Sequence, residues 1–110
     1  MKKFVLLFVG RAGVSGAQDA ETRDYGQRWM AWMRDLAARG VVEAGLPMEW
    51  SGREVSKDAV ADYRAADIDV GGFLVVRAAS LDEAVDIARE APHMAIGGTT
   101  IVRPAMDVGM

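Results

Sequence analysis

The chain has one histidine, His93, in the run Ala91-Pro92-His93, just past a helix-like segment and ahead of the last strand-like one. An imidazole titrates near neutrality and can accept or release a proton in a reaction. At a helix end it can equally cap carbonyls or face water. Asp67 and Asp69 flank Ile68, and carboxylates at i and i+2 share one side of a strand. Asp69 is therefore a second acid–base candidate. The pair makes a poor site for a hard cation, which needs more ligands, and a charged hairpin edge uses the same pattern. Trp29 and Trp32 sit at helical spacing and suit either a core or a pocket for an aromatic or apolar molecule. Trp50, beside Gly52, fits a core less well and a cleft cover or partner contact better. Arg53, Arg64 and Arg103 could each meet an anionic group. Arg103 stands out because it ends an apolar strand and Pro104 fixes the exit, although a surface ion pair explains it as well.

Other chemistry is excluded or unsupported. Cysteine is absent, which removes disulfides, thiolate metal sites and cysteine nucleophiles. Gly97-Gly98 precedes a strand rather than a helix and does not follow a dinucleotide-binding pattern. No metal site and no cofactor is expected.

These residues must be positioned by one domain, read as spanning residues 1–110, of ordinary globular composition with 51% hydrophobic and 26% charged residues. A net charge of −3 without any Lys/Arg cluster argues against nucleic acid and anionic membrane as partners. Lys2-Lys3 followed by Phe4 to Val9 looks like the start of a signal peptide, but Arg11 ends the short apolar run. It reads better as a buried strand, and a cytoplasmic protein is expected.

Phe4, Leu6 and Phe8 alternate with Val5, Leu7 and Val9, so the first strand is apolar on both faces. A glycine-rich loop follows over 10–16, then a polar segment to about Thr22. A helix is predicted from about Arg23 to Arg39, with Trp29, Met33 and Leu36 as its central stripe and Arg34, Asp35 and Ala38 opposite. Gly40 stops it. Val41 to Leu46 reads as a strand, Trp50 to Arg53 as a turn, Glu54 to Ser56 as a short strand, and residues 57–67 as a long hairpin loop. Ile68 to Arg77 is another two-faced apolar strand. Ser80-Leu81-Asp82-Glu83 is a capping box opening a helix whose inner face holds Leu81, Ala84, Val85, Ile87, Ala88 and Ala91. Thr99 to Arg103 is the last strand.

The order βαββαβ implies an α+β, ferredoxin-like domain, an antiparallel sheet with both helices on one face. The other face should then be polar, yet two strands are apolar on both sides. Two sheets packed face to face about a two-fold axis would cover it, so a homodimer through the sheet faces is expected. The competing arrangement folds residues 57–67 over the sheet of a monomer.

The chain resembles the YCII-related family of the dimeric α+β-barrel superfamily. The resemblance rests on Met1 to Phe8, Trp29-Met30-Ala31-Trp32-Met33 ending at Gly40, and Gly45-Leu46-Pro47. It rests most on Gly71-Gly72-Phe73 with Ser80-Leu81-Asp82-Glu83-Ala84, Ala91-Pro92-His93 and Ile101-Val102-Arg103-Pro104. It implies the fold, the dimer and a cleft between sheet and helices. The Asp-Gly-Pro-Phe signature of one branch is missing around Val60-Ala61-Asp62-Tyr63. The helix histidine that another branch is proposed to pair with an aspartate is missing too, and Trp29 falls near its place, so that chemistry does not carry over. Two readings remain open. One is a cofactor-independent acid–base enzyme acting on a small hydrophobic or aromatic molecule, with His93 and Asp69 as candidate groups and Trp29, Trp32, Trp50 and Arg103 around the ligand. The other is a non-catalytic binding or regulatory module on the same dimeric fold.

Overall fold

The computed structural model describes residues 1–12 and 20–109. Its elements are β1 (Lys2–Arg11), α1 (Ala20–Ala38), β2 (Val42–Pro47), β3 (Ser51–Val55), β4 (Val60–Arg64), β5 (Ile68–Ala78), α2 (Leu81–Ala88), a 3₁₀ turn (Pro92–Ile96) and β6 (Thr99–Pro104). β2, β5, β1 and β6 form, in that order, one four-stranded antiparallel sheet. This is the ferredoxin-like arrangement.

Side-chain alternation builds the core. Phe4, Leu6 and Phe8 from β1 and Leu74, Val76 and Ala78 from β5 point to one face and are buried there. Trp32 and Leu36 of α1 and Ala84, Ile87 and Ala88 of α2 join the same cluster, so both helices cover that face. Leu81 differs from its predicted inward position. It is 45% exposed, because it sits in the first turn of α2, beyond the edge of the packed face.

Ser80 caps α2 by accepting from the Glu83 N–H at 3.2 Å, and Asp82 and Glu83 occupy the first turn, where the helix dipole favours negative charge. Ser80→Ala should lower stability by about 1 kcal/mol. An unchanged denaturation midpoint would show that the cap contributes nothing. Gly40 ends α1 at φ +73°, a conformation that side-chain-bearing residues rarely adopt.

The opposite sheet face is apolar. Val5 pairs with Val75, Leu7 with Phe73 and Ile101, and Leu46 with Phe73. Leu46 and Ile101 are 66% and 47% exposed. One end of this face carries charge instead, where Glu43 bridges Lys3 at 3.0 Å and Arg77 at 2.8 Å. The Lys3 ammonium holds the Glu43 carboxyl below its ordinary range.

One boundary and one element differ from the sequence reading. α1 starts at Ala20 rather than Arg23, and the glycine-rich loop lies largely outside the described residues. The predicted turn at 50–53 and loop at 57–67 are instead the strands of a separate hairpin, with Ser51 opposite Arg64 and Val55 opposite Val60. Every residue of β3 and β4 is exposed. A ribbon wet on both faces needs no apolar alternation, so the pattern that reveals buried strands was absent.

Candidate functional site

A cleft of about 1200 Å³ opens between the middle of α1 and one end of the sheet. Glycines create the space. At that end, Gly45 and Gly72 stand where the opposite end of the core carries Phe4, Val76 and Ala78. A Cβ on Gly45 would lie 2.7 Å from the Phe73 carbonyl oxygen, and one on Gly72 would lie 3.0 Å from that of Leu46. Close approach of β2 and β5 thus requires glycine and strips side chains from beneath α1. Gly71 is the extra residue where the register of β1 with β5 shifts after Phe8. The Trp50 indole lies against it, 2.4 Å from where a Cβ would be, so glycine at 71 is what seats Trp50 at the cleft.

α1 lines the cleft with Tyr25, Gly26, Trp29, Met30, Met33 and Arg34, a continuous flank at helical spacing. Deeper in, the Trp29 ring lies 5.0 Å from Phe8, 5.5 Å from Trp32 and 5.5 Å from His93. His93 is delivered by the 3₁₀ turn, which begins at Pro92 and ends at Gly97 with φ +88°. Its ring packs on Gly98, where an added Cβ would meet the ring carbon Cδ2 at 2.4 Å.

His93 is 4% exposed and lines the cleft. Its Nε2 lies 2.7 Å from the Thr99 carbonyl oxygen. A carbonyl only accepts, so Nε2 carries the proton and donates it. Thr100 Oγ1 lies 3.2 Å from the same nitrogen and donates to Met94 Sδ. In the neutral ring Nδ1 then holds a free lone pair, and it is buried without a hydrogen-bond partner among the described residues. Burial pushes the imidazole pKa below its ordinary 6.5, against a smaller upward pull from the Thr99 carbonyl. The ring is therefore a neutral base at neutral pH.

That depression has a consequence for stability. The folded pKa is lower than the unfolded one, so the contribution is complete above 6.5 and is lost as pH falls from there through the folded value. Thermal scans of the wild type should show a midpoint that falls as pH drops below 6.5, and His93→Gln should flatten that slope. Equal slopes in the two proteins would mean that His93 is not buried as a neutral ring.

The other candidate residues separate. Trp29 and Trp50 line the cleft. Trp32 lies in the core layer behind it, 7% exposed, with Nε1 donating to Glu90 at 3.0 Å. It borders instead a shallow depression of about 420 Å³ on the other side of α1. Asp69 stands at the start of β5, outside the cleft lining, and accepts from the Tyr63 hydroxyl, the Ala66 N–H and the Val70 N–H. Those bonds, Tyr63 first, hold its carboxyl below the usual range and engage it as the knot of a turn. Arg103 is exposed on β6 opposite Val5, on the face away from the helices. No cluster of three or more metal-ligating side chains occurs among the described residues.

The sequence reading passed over Arg11, Arg34 and Tyr25 as lining residues. Arg34 was expected opposite the apolar stripe. The cleft wall takes in Trp29 and Met33 of that stripe and the flank beside it, Tyr25, Gly26 and Met30, and the long Arg34 side chain at its margin borders the opening. The usable signal was the second period, Tyr25-Gly26, Trp29-Met30, Met33-Arg34.

Comparison with known proteins gives a family and a fold. The sequence model of the YCII-related domain matches residues 3–106. A search of curated proteins found no match. Among solved structures, 5-chloro-2-hydroxyhydroquinone dehydrochlorinase from Burkholderia phenoliruptrix, in complex with 2,5-dihydroxybenzoquinone, aligns with TM-score 0.61 and 21% identity over 94% of this chain and 93% of that one. None of the described helices is long and apolar enough to cross a membrane.

Proposed function

This chain belongs to the YCII-related domain family, and from that premise we propose that its cleft binds a small hydroxylated aromatic molecule and that His93 moves a proton on it. The carrying observation is the state of His93: one ring nitrogen is fixed by a backbone carbonyl, and the other holds a buried lone pair without a partner. A buried polar atom left unsatisfied costs about 1–3 kcal/mol, and a ligand hydroxyl donating to Nδ1 would recover it. Trp29, Phe8 and Trp50 offer ring faces and edges to such a molecule. Support also comes from the fold neighbour, which is a dehydrochlorinase of a hydroquinone held with a dihydroxyquinone.

The reaction class is proton abstraction from a ring hydroxyl with return of the proton to ring carbon, a keto–enol shift that needs no redox partner. The proposed assembly is a homodimer, because the apolar face of Val5, Leu7, Phe73 and Val75 suits a second copy of itself.

The test is exchange of ring C–H protons of hydroxyhydroquinone with D₂O, followed by proton NMR under anaerobic conditions. The protein should accelerate exchange over the buffer rate. Binding of the compound, seen as tryptophan quenching, without acceleration would establish the binding-module reading instead. One observation favours that second reading: no carboxylate among the described residues lines the cleft to pair with His93.

A further inference from the structure

The cleft is one-sided in charge. The chain carries 16 Asp and Glu against 13 Lys and Arg, yet the charged side chains that line the cleft among the described residues are Arg11 and Arg34, without a single carboxylate. They come from different elements, Arg11 from the end of β1 and Arg34 from α1. Neither forms an ion pair with a described residue. Elsewhere Arg28, Arg39, Arg53 and Arg77 each hold a carboxylate within 3.3 Å. His93, the remaining basic group of the cleft, is neutral. Two guanidinium groups without a carboxylate partner among the described residues therefore border a largely apolar space. Next to low-dielectric aromatic surface their attraction for a negative group is stronger than it would be in open water.

Resting on the reading of the cleft as a binding site, we propose that its ligand is an anion: a small aromatic ring bearing an ionised oxygen that is met by Arg11 and Arg34, with a separate un-ionised hydroxyl turned to His93. A neutral phenol would leave both guanidinium groups solvated and gain nothing from them. An ionised oxygen gains charge-assisted hydrogen bonds, the stronger kind, and guanidinium can give two to one carboxylate. The arginines also orient the ring, because they fix which end of the molecule stays at the cleft rim and which enters toward His93. Electrostatic binding of this kind weakens as salt is raised.

A ring carboxylate and an ionised ring hydroxyl both supply the required oxygen. Para-hydroxybenzoate carries the first and keeps an un-ionised hydroxyl for His93; 2,5-dihydroxybenzoquinone, ionised at both hydroxyls at neutral pH, carries the second without a hydroxyl to donate and so probes the arginines alone. Para-hydroxybenzamide is the neutral counterpart of the benzoate. Affinities are measured by calorimetry at neutral pH and low salt for the wild type, Arg11→Gln, Arg34→Gln and Gly26→Phe. Gly26 lines the cleft and an added Cβ there meets nothing within 4 Å, so the phenylalanine should fill the space without disturbing the fold. The benzoate should bind about tenfold tighter than the amide, and each arginine variant should reduce that ratio about threefold while leaving the amide unaffected. The anionic probe that loses more in the arginine variants identifies which kind of oxygen the pair meets. Equal affinities for benzoate and amide, both abolished by Gly26→Phe, would overturn the anion assignment and leave the binding cleft standing. A benzoate preference that stays undiminished in both arginine variants would also overturn it. Binding of no probe to the wild type would overturn the anion and the cleft reading together.

Discussion

Replacing Val75 by glutamate should leave a folded protein, and replacing its neighbour Leu74 by glutamate should leave none. Leu74 is 1% exposed and faces the core cluster beneath both helices. Losing its packing alone costs about 2–5 kcal/mol. A carboxylate at that depth has no partner and adds a desolvation penalty of several kcal/mol. The sum is comparable to the whole stability of a small domain, about 5–15 kcal/mol. Val75 is partly buried on the other face, opposite Val5 on β1 and Ala44 on β2. A glutamate there reaches water as long as the face is open. In the proposed dimer the same position is covered, so Val75→Glu should convert a dimer into a folded monomer. Circular dichroism and sedimentation velocity read the two outcomes. Folded Leu74→Glu would contradict the strand parity, and a Val75→Glu protein that still dimerises would remove the sheet face as the interface.

The second large effect is expected at His93. Glutamine can place an amide N–H near the position of Nε2 and keep the bond to the Thr99 carbonyl, but it offers no titratable base at Nδ1. His93→Gln should therefore stay folded and slow the catalysed ring-proton exchange by about 10²–10⁴-fold, the usual loss when a positioned acid–base group is removed. The pH profile supplies an independent check. The active form is the neutral ring, and burial holds its pKa below 6.5. Wild-type exchange should thus stay level across neutral pH and decline only on the acid side of 6.5. A decline centred above 6.5, or a variant as active as the wild type, would place the proton transfer elsewhere.

The element order and the two-faced strands were legible because burial on either face of a sheet imposes apolar residues at alternate positions, and that record is local. Ser80, Gly40 and Pro92 announced helix ends for the same reason: capping depends on residues within one turn. The β3–β4 hairpin was not legible, since its exposed residues carry no burial record. The site was legible only in part. Residue type alone singled out His93 and the tryptophans, but the sequence could not separate Trp29 from Trp32, three positions apart, one on the cleft and one in the core behind it. That distinction depends on where α1 leaves the sheet, which is set by Gly45 and Gly72 on strands far away in sequence. Asp69 and Arg103 were reasonable by chemistry, and the fold carries them to a hairpin knot and to the opposite sheet face. Arg11 and Arg34 meet at one cleft only because β1 and α1 pack against a common core. Sequence determined which residues could act. Tertiary packing decided which of them share a space, because shared space depends on contacts between distant segments that no local pattern encodes.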